Sequence, residues 1–89
     1  MKDLKIYYTP QFQREFSKLP RSVKQKAFKK EKVFRADPRN QILKTHKLTG
    51  TLKNYWSFSI DYHYRVVFRY INDKEILLVD IGTHEVYKA

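Results

Sequence analysis

The sequence predicts an α+β domain, ordered β-α-α-β-β-β, in which an antiparallel meander carries a helical hairpin on one face. Three observations predict it. Apolar residues recur at helical spacing across the first forty positions. They then alternate, or run together, at strand spacing across the last thirty-five. Pro and Asp-Pro punctuation falls between the helical segments and after them.

Leu4-Lys5-Ile6-Tyr7-Tyr8 reads as a first strand. Thr9-Pro10 starts a helix, because Thr can cap the free amides and Pro fits the first helical position. Phe12, Phe16 and Leu19 follow at i, i+4 and i+7 and make one apolar face. Leu19-Pro20 ends that helix and begins a second, running to about Ala36. There Val23, Ala27 and Phe34 share a face, and Lys24, Lys26, Lys29, Lys30, Lys32 and Arg35 cover most of the remainder. Lys30 lies close to the apolar stripe and is expected to snorkel. Asp37-Pro38-Arg39-Asn40 is the stop.

Residues 41–53 read as a connection with an apolar patch of Ile42, Leu43 and Leu48. From Asn54 to Ile60 the pattern alternates. Trp56, Phe58 and Ile60 face one way, Tyr55, Ser57 and Ser59 the other, which predicts a half-buried strand. Asp61-Tyr62-His63 makes a turn and Tyr64 to Ile71 the next strand. Asn72-Asp73-Lys74 makes a hairpin turn. Glu75 to Ile81 contains Ile76-Leu77-Leu78-Val79, a run expected of a strand covered on both faces. All 89 residues read as one domain.

Nineteen Lys and Arg stand against nine Asp and Glu, a formal charge of +10. Such a field attracts polyanions: nucleic acid, an acidic protein or an anionic membrane. No apolar run approaches the ~20 residues of a membrane-spanning helix. Met1-Lys2-Asp3-Leu4 opens no signal-peptide pattern, so the cytoplasm is the expected compartment. The absence of cysteine excludes a disulfide scaffold and a thiolate metal site. The three His lack zinc spacing, and there is no phosphate-binding glycine loop. No metal or other cofactor is expected.

Several residues could carry chemistry. Arg65 places a permanent cation inside a strand pattern, where it could fork onto a phosphate or pair with Asp61 or Asp80. His84 lies two residues past Gly82 and could give or take a proton, or be merely structural. Tyr87 could stack on a base, orient a reacting group or pack on the domain. His46 and Lys47 could contact an RNA backbone or aid proton transfer, or lie in a solvated loop. His63, Tyr64, Arg69 and Lys53 complete the candidate RNA-binding set with Lys47. RNA cleavage through its own 2′-hydroxyl needs a base, an acid and cations around the phosphorane. Arg, His, Tyr and Lys can supply these without a metal or a protein nucleophile.

Taken together, the motifs resemble the RelE/ParE superfamily of toxins from type II toxin–antitoxin systems, across essentially the whole chain. They are Lys18-Leu19-Pro20 between the helices, Asp37-Pro38 after them, His46-Lys47-Leu48-Thr49-Gly50, Trp56, Tyr64-Arg65-Val66-Val67-Phe68, and Ile81-Gly82-Thr83-His84. The YafQ-like and YoeB-like mRNA interferases are the most similar branches.

The resemblance implies a microbial-RNase, RelE-like fold with the active face opposite the helices. It implies mRNA cleavage in the ribosomal A site, an antitoxin partner and a toxin–antitoxin hetero-oligomer. Arg65 matches the arginine on the scissile phosphate, His84 the C-terminal catalytic position, Tyr87 the nearby aromatic and His46 the first His of the YafQ-like pattern. There are departures. Two family lysines fall on Trp56 and Phe58, an arginine falls on Asp80, and no acid lies between Pro38 and Ile60. His46, Asp61 and His63 are the candidates for general base. The same scaffold also implies two alternatives: a ParE-like DNA gyrase poison, and a catalytically decayed antitoxin-binding module.

Overall fold

A computed structural model of the chain describes residues 4–87, the side chains of His84 and Glu85 excepted. Strand β1 (Lys5–Tyr8) leads into helices α1 (Pro10–Ser17) and α2 (Arg21–Ala36). Then come β2 (His46–Lys47), β3 (Trp56–Ser59), β4 (Arg65–Tyr70) and β5 (Glu75–Gly82). Single 3-10 turns lie at Gln41–Leu43, Gly50–Leu52 and His84–Tyr87.

The expected meander is present in β3–β4–β5, antiparallel throughout. The sheet is nevertheless mixed and five-stranded, in the order β1-β5-β4-β3-β2. β1 pairs parallel to β5, because the helical hairpin carries the chain back across one face before the meander begins. β2 lies within the stretch expected to be a plain connection. Lys44, in the left-handed conformation (φ 52°), turns the chain out of the first 3-10 turn toward it. His46 then pairs with Ser57 and Lys47 with Trp56.

Thr9 joins the helical layer to the sheet. Its hydroxyl oxygen accepts from Phe12 N (3.0 Å), capping α1, and its hydroxyl donates to Val79 O (2.8 Å) on β5. Phe16 of α1 meets Phe28 of α2 edge-on at 5.6 Å, closing the hairpin. α2 buries Val23, Ala27 and Phe34, as its spacing predicts, and Lys30 is half-buried beside them. Phe34 is fully buried, stacked on Phe58 (4.5 Å) and edge-on to Phe68 (4.9 Å). Ile76, Leu78, Ile81 and Val66 complete this core between helices and sheet.

The other face of the sheet is not left to solvent. Ser57 and Ser59, expected on the wet side of a half-buried strand, are both buried. At Ser57 the reason is the C-terminal turn, His84–Tyr87, which folds back over β4 and β5 and sets Tyr87 OH against Ser57 Oγ. Gly82 permits it: a Cβ there would come within 2.9 Å of Val86 Cγ1. β5, expected to be covered on both faces, is fully buried on the helical side at Ile76, Leu78 and Ile81. It is half-buried on the other side at Leu77, Val79 and Asp80.

Candidate active site

The face opposite the helices carries the candidate residues. Residues 65, 67 and 69 of β4 point to it by strand alternation, and Ser57 and Ser59 of β3 lie across from them. Ser59 pairs with Arg65, which pairs with Gly82. Ser57 pairs with Val67, which pairs with Asp80. β4 and β5 then slip register between Val67 and Phe68, leaving Val79 as the extra residue of a bulge.

Arg65 is half-buried and held at one end only. Its Nη1 donates to Asp61 O (2.6 Å) and Tyr64 O (3.2 Å). Among the described residues, its Nε and Nη2 edge has no partner. Among the described residues no carboxylate neutralises it, and neither the Asp61 nor the Asp80 pairing open from sequence occurs. The turn that supplies those carbonyls is built by Asp61. One carboxylate oxygen accepts from His63 N (2.9 Å) and Tyr64 N (2.8 Å), and the other meets Lys26 Nζ of α2 at 3.3 Å. Burial alone would push this carboxyl up. The amides of Tyr64 and His63, with Lys26, outweigh burial and hold it below the usual carboxylate range. A carboxylate so engaged accepts a proton less readily than a free one.

The second cluster lies one row along the same face. Tyr87 OH is 2.7 Å from Ser57 Oγ, and its ring meets the His46 ring edge-on at 6.5 Å. His46 itself is exposed on β2, with Nδ1 3.0 Å from Lys44 O. A carbonyl only accepts, so Nδ1 is the donor in this contact, and in the neutral ring the lone pair then sits on Nε2. Ser57 and Ser59 are two residues apart on one strand, so the His46–Ser57–Tyr87 cluster and the Arg65 row are ~7 Å apart. Ser57 was not among the candidates; a serine alternating with aromatics carries only the signal of a solvent-facing strand position.

The remaining candidates scatter. His84 begins the C-terminal turn, two residues beyond the Gly82 that faces Arg65, and its side chain lies outside the described residues. Tyr64 packs partly buried against the helix-side core, so alternation takes it away from Arg65's face. His63 is exposed in the β3–β4 turn, edge-on to Tyr62 at 5.2 Å. Arg69 is exposed on the Arg65 face, opposite Leu77. Lys47 is exposed on β2 and Lys53 at the end of the Gly50–Leu52 turn. Asp80 accepts from Gln11 Nε2 (2.9 Å) and from Ile81 N (2.8 Å), yet burial pushes its carboxyl above the ordinary range.

Residues 6–86 match the family described as the ParE toxin of the type II toxin–antitoxin system parDE. The chain belongs to that family. Solved structures share the fold of this ParE-family chain over nearly its whole length. The Escherichia coli DinJ–YafQ toxin–antitoxin complex contains a chain with TM-score 0.76 and 18% identity, covering 98% of this chain and 99% of that one. A YoeB/ParE toxin from Agrobacterium tumefaciens gives 0.75 and 18%, covering 91% and 99%. The Staphylococcus aureus YoeB–YefM toxin–antitoxin complex gives 0.72 and 22%, covering 91% and 97%. Comparison with curated protein sequences found no match. Among the described residues no helix is long and apolar enough to cross a membrane.

Proposed function

We propose that this ParE-family chain is a metal-independent endoribonuclease toxin that cuts mRNA in the ribosomal A site and is neutralised by a cognate antitoxin, in the cytoplasm. The observation that carries it is Arg65: a guanidinium fixed by two carbonyls through Nη1, with no partner for its Nε/Nη2 edge among the described residues, on the same face as His46 and Tyr87. An edge of that kind suits two oxygens of one phosphate.

In this reading His46 Nε2 takes the proton from the ribose 2′-hydroxyl, and O2′ attacks the adjacent phosphorus. Arg65 steadies the charge gathering on the phosphorane oxygens. The P–O5′ bond breaks, His84 protonates the leaving O5′, and a 2′,3′-cyclic phosphate remains. Tyr87, positioned through Ser57, presents its ring to a neighbouring base. Antitoxin partnership is supported by the family and by similar toxins solved as complexes with DinJ and YefM.

Primer extension on a defined mRNA in a reconstituted translation reaction tests this. Discrete ribosome-dependent cuts with wild type, absent with His84→Ala, are expected. The absence of cuts from folded wild type would remove the reading. A second reading, poisoning of DNA gyrase, is favoured by the ParE description of the matching family. Trapped gyrase–DNA breaks with intact mRNA would establish it.

A further inference from the structure

Where β2, β3 and β4 end together, a polar cleft opens, lined by Lys47, Asn54, Tyr55, Trp56, Arg69 and Tyr70. Among the described residues no carboxylate lines it. Neither Lys47 nor Arg69 forms an ion pair among the described residues. Both are exposed, so their charge is available to an incoming anion. A third cation stands at the rim, with the Arg39 guanidinium 5.2 Å from the centre of the Trp56 ring. Tyr55 and Trp56 are half-buried, and Tyr70 stands perpendicular to Trp56 at 5.6 Å.

The cleft adjoins the candidate active site through the strands themselves. Lys47 follows His46 and Trp56 precedes Ser57, and the two pairs are partners in the same ladder. Tyr55 also lines the adjoining hollow over the β-bulge, with Val67, Asp80 and Val86, so it stands between the cleft and the face carrying Arg65. On β4, Arg65 and Arg69 are four residues apart on one face, or ~14 Å along the strand.

We propose that this cleft is a nucleotide subsite, holding one nucleotide of single-stranded RNA beside the cleaved position. Its phosphate lies at the end of the sheet between Lys47 and Arg69, its base lies against the Tyr55 ring beside the inward-packed Trp56, and the Asn54 amide reaches the base edge. Flat aromatic surface beside unpaired cations suits single-stranded nucleic acid, because bases stack while the backbone is neutralised. An acidic peptide would use the cations and leave the rings and the amide idle. The subsite extends the endoribonuclease reading above and rests on it for its place along the RNA.

Trp56 is the only tryptophan of the chain, so its fluorescence reports on the cleft. The test titrates the intact protein, without ribosomes, with a short single-stranded oligoribonucleotide methylated at every 2′-oxygen so that it cannot be cut. Saturable quenching is expected. Tyr55→Ala should weaken binding about tenfold or more, as for loss of one base stack. The Arg69→Ala/Lys47→Ala double variant, at two exposed positions, should lower the salt slope of binding by ~0.7, the share of the one phosphate they hold. A poly-glutamate peptide should neither quench nor compete.

Absence of quenching, or quenching unchanged in the Arg69→Ala/Lys47→Ala double variant, would overturn the subsite. Equal competition by the peptide would overturn it in favour of an acidic protein surface. Wild type that quenches but cuts no mRNA removes the endoribonuclease reading and keeps a nucleotide site. Wild type that cuts without quenching does the reverse.

Discussion

Arg65 depends on a carboxylate that it never touches. Its Nη1 is held by the carbonyls of Asp61 and Tyr64, and those carbonyls are placed because the Asp61 side chain ties the turn amides of His63 and Tyr64. Asp61→Ala should therefore release the guanidinium and lower cleavage by about a hundredfold, the scale of a misplacement near 1 Å. Asp61→Asn keeps an acceptor for both amides and should retain most activity, although it loses the Lys26 ion pair. In an Arg65→Ala background, itself down ~10²–10³-fold, Asp61→Ala should cost nothing further. Rates measured for the four variants decide whether Asp61 acts through Arg65.

The two notable carboxylates pull stability in opposite directions with pH. Asp61, lowered in the folded state, contributes stability that is present above the ordinary Asp range and fades as pH falls through its depressed value. Asp80 is raised, chiefly by burial. In the window between the unfolded and folded values the native state binds more protons, so stability falls as pH rises through it. Asp80→Asn should then raise the urea midpoint at pH 7 and leave it unchanged near pH 3, where the native carboxyl is already protonated. A lower midpoint at pH 7 would show that the Gln11 and Ile81 contacts outweigh the burial.

At the scale of elements, the C-terminal turn controls the active face, and Gly82 controls the turn. Gly82→Ala puts a methyl 2.9 Å from Val86 Cγ1. The turn must lift, at a cost of ~1–3 kcal/mol for an overpacked contact, and the Tyr87–Ser57 hydrogen bond should be strained or lost. Cleavage should fall more than thermal stability does, since the helix-side core is untouched. Phe34→Ala is the contrasting case. It empties the Phe58–Phe68 junction and should cost ~3–5 kcal/mol in a denaturant titration.

These two elements also mark what was legible in the sequence. Helices and meander strands announce themselves because each lies in a stretch of six residues or more with a periodic or continuous apolar pattern. β2 does not, since two residues carry no period. The parallel seat of β1 depends on where the hairpin returns the chain, which is a property of packing. Ser57 reads as wet because alternation cannot see Tyr87 arriving from a distant turn. The same holds at the site: a cation within a strand singled out Arg65, but its anchor is a pair of carbonyls, and carbonyls have no residue identity to read.

For the whole molecule, the formal charge of +10 permits two kinds of salt dependence, and they can be separated. A diffuse positive field speeds encounter with any polyanion, whereas a site neutralises particular phosphates and releases their counterions. Arg65 and Arg69 lie on the active face and Lys47 lines the cleft at the end of the sheet, whereas Lys29 and Lys32 are exposed on α2, within the helical layer. If Arg65 neutralises one phosphate and Lys47 with Arg69 a second, the slope of log K against log salt for single-stranded RNA should be about −1.4. Their combined replacement by Ala should bring it close to zero. Lys29→Gln with Lys32→Gln removes two charges without removing a site contact, and should slow association while leaving the slope unchanged. An equal loss of slope from either set would mean that the chain binds RNA through its overall field. The active face would then be only one region of a uniformly basic surface, and Arg65 would owe its position to folding, not to a phosphate.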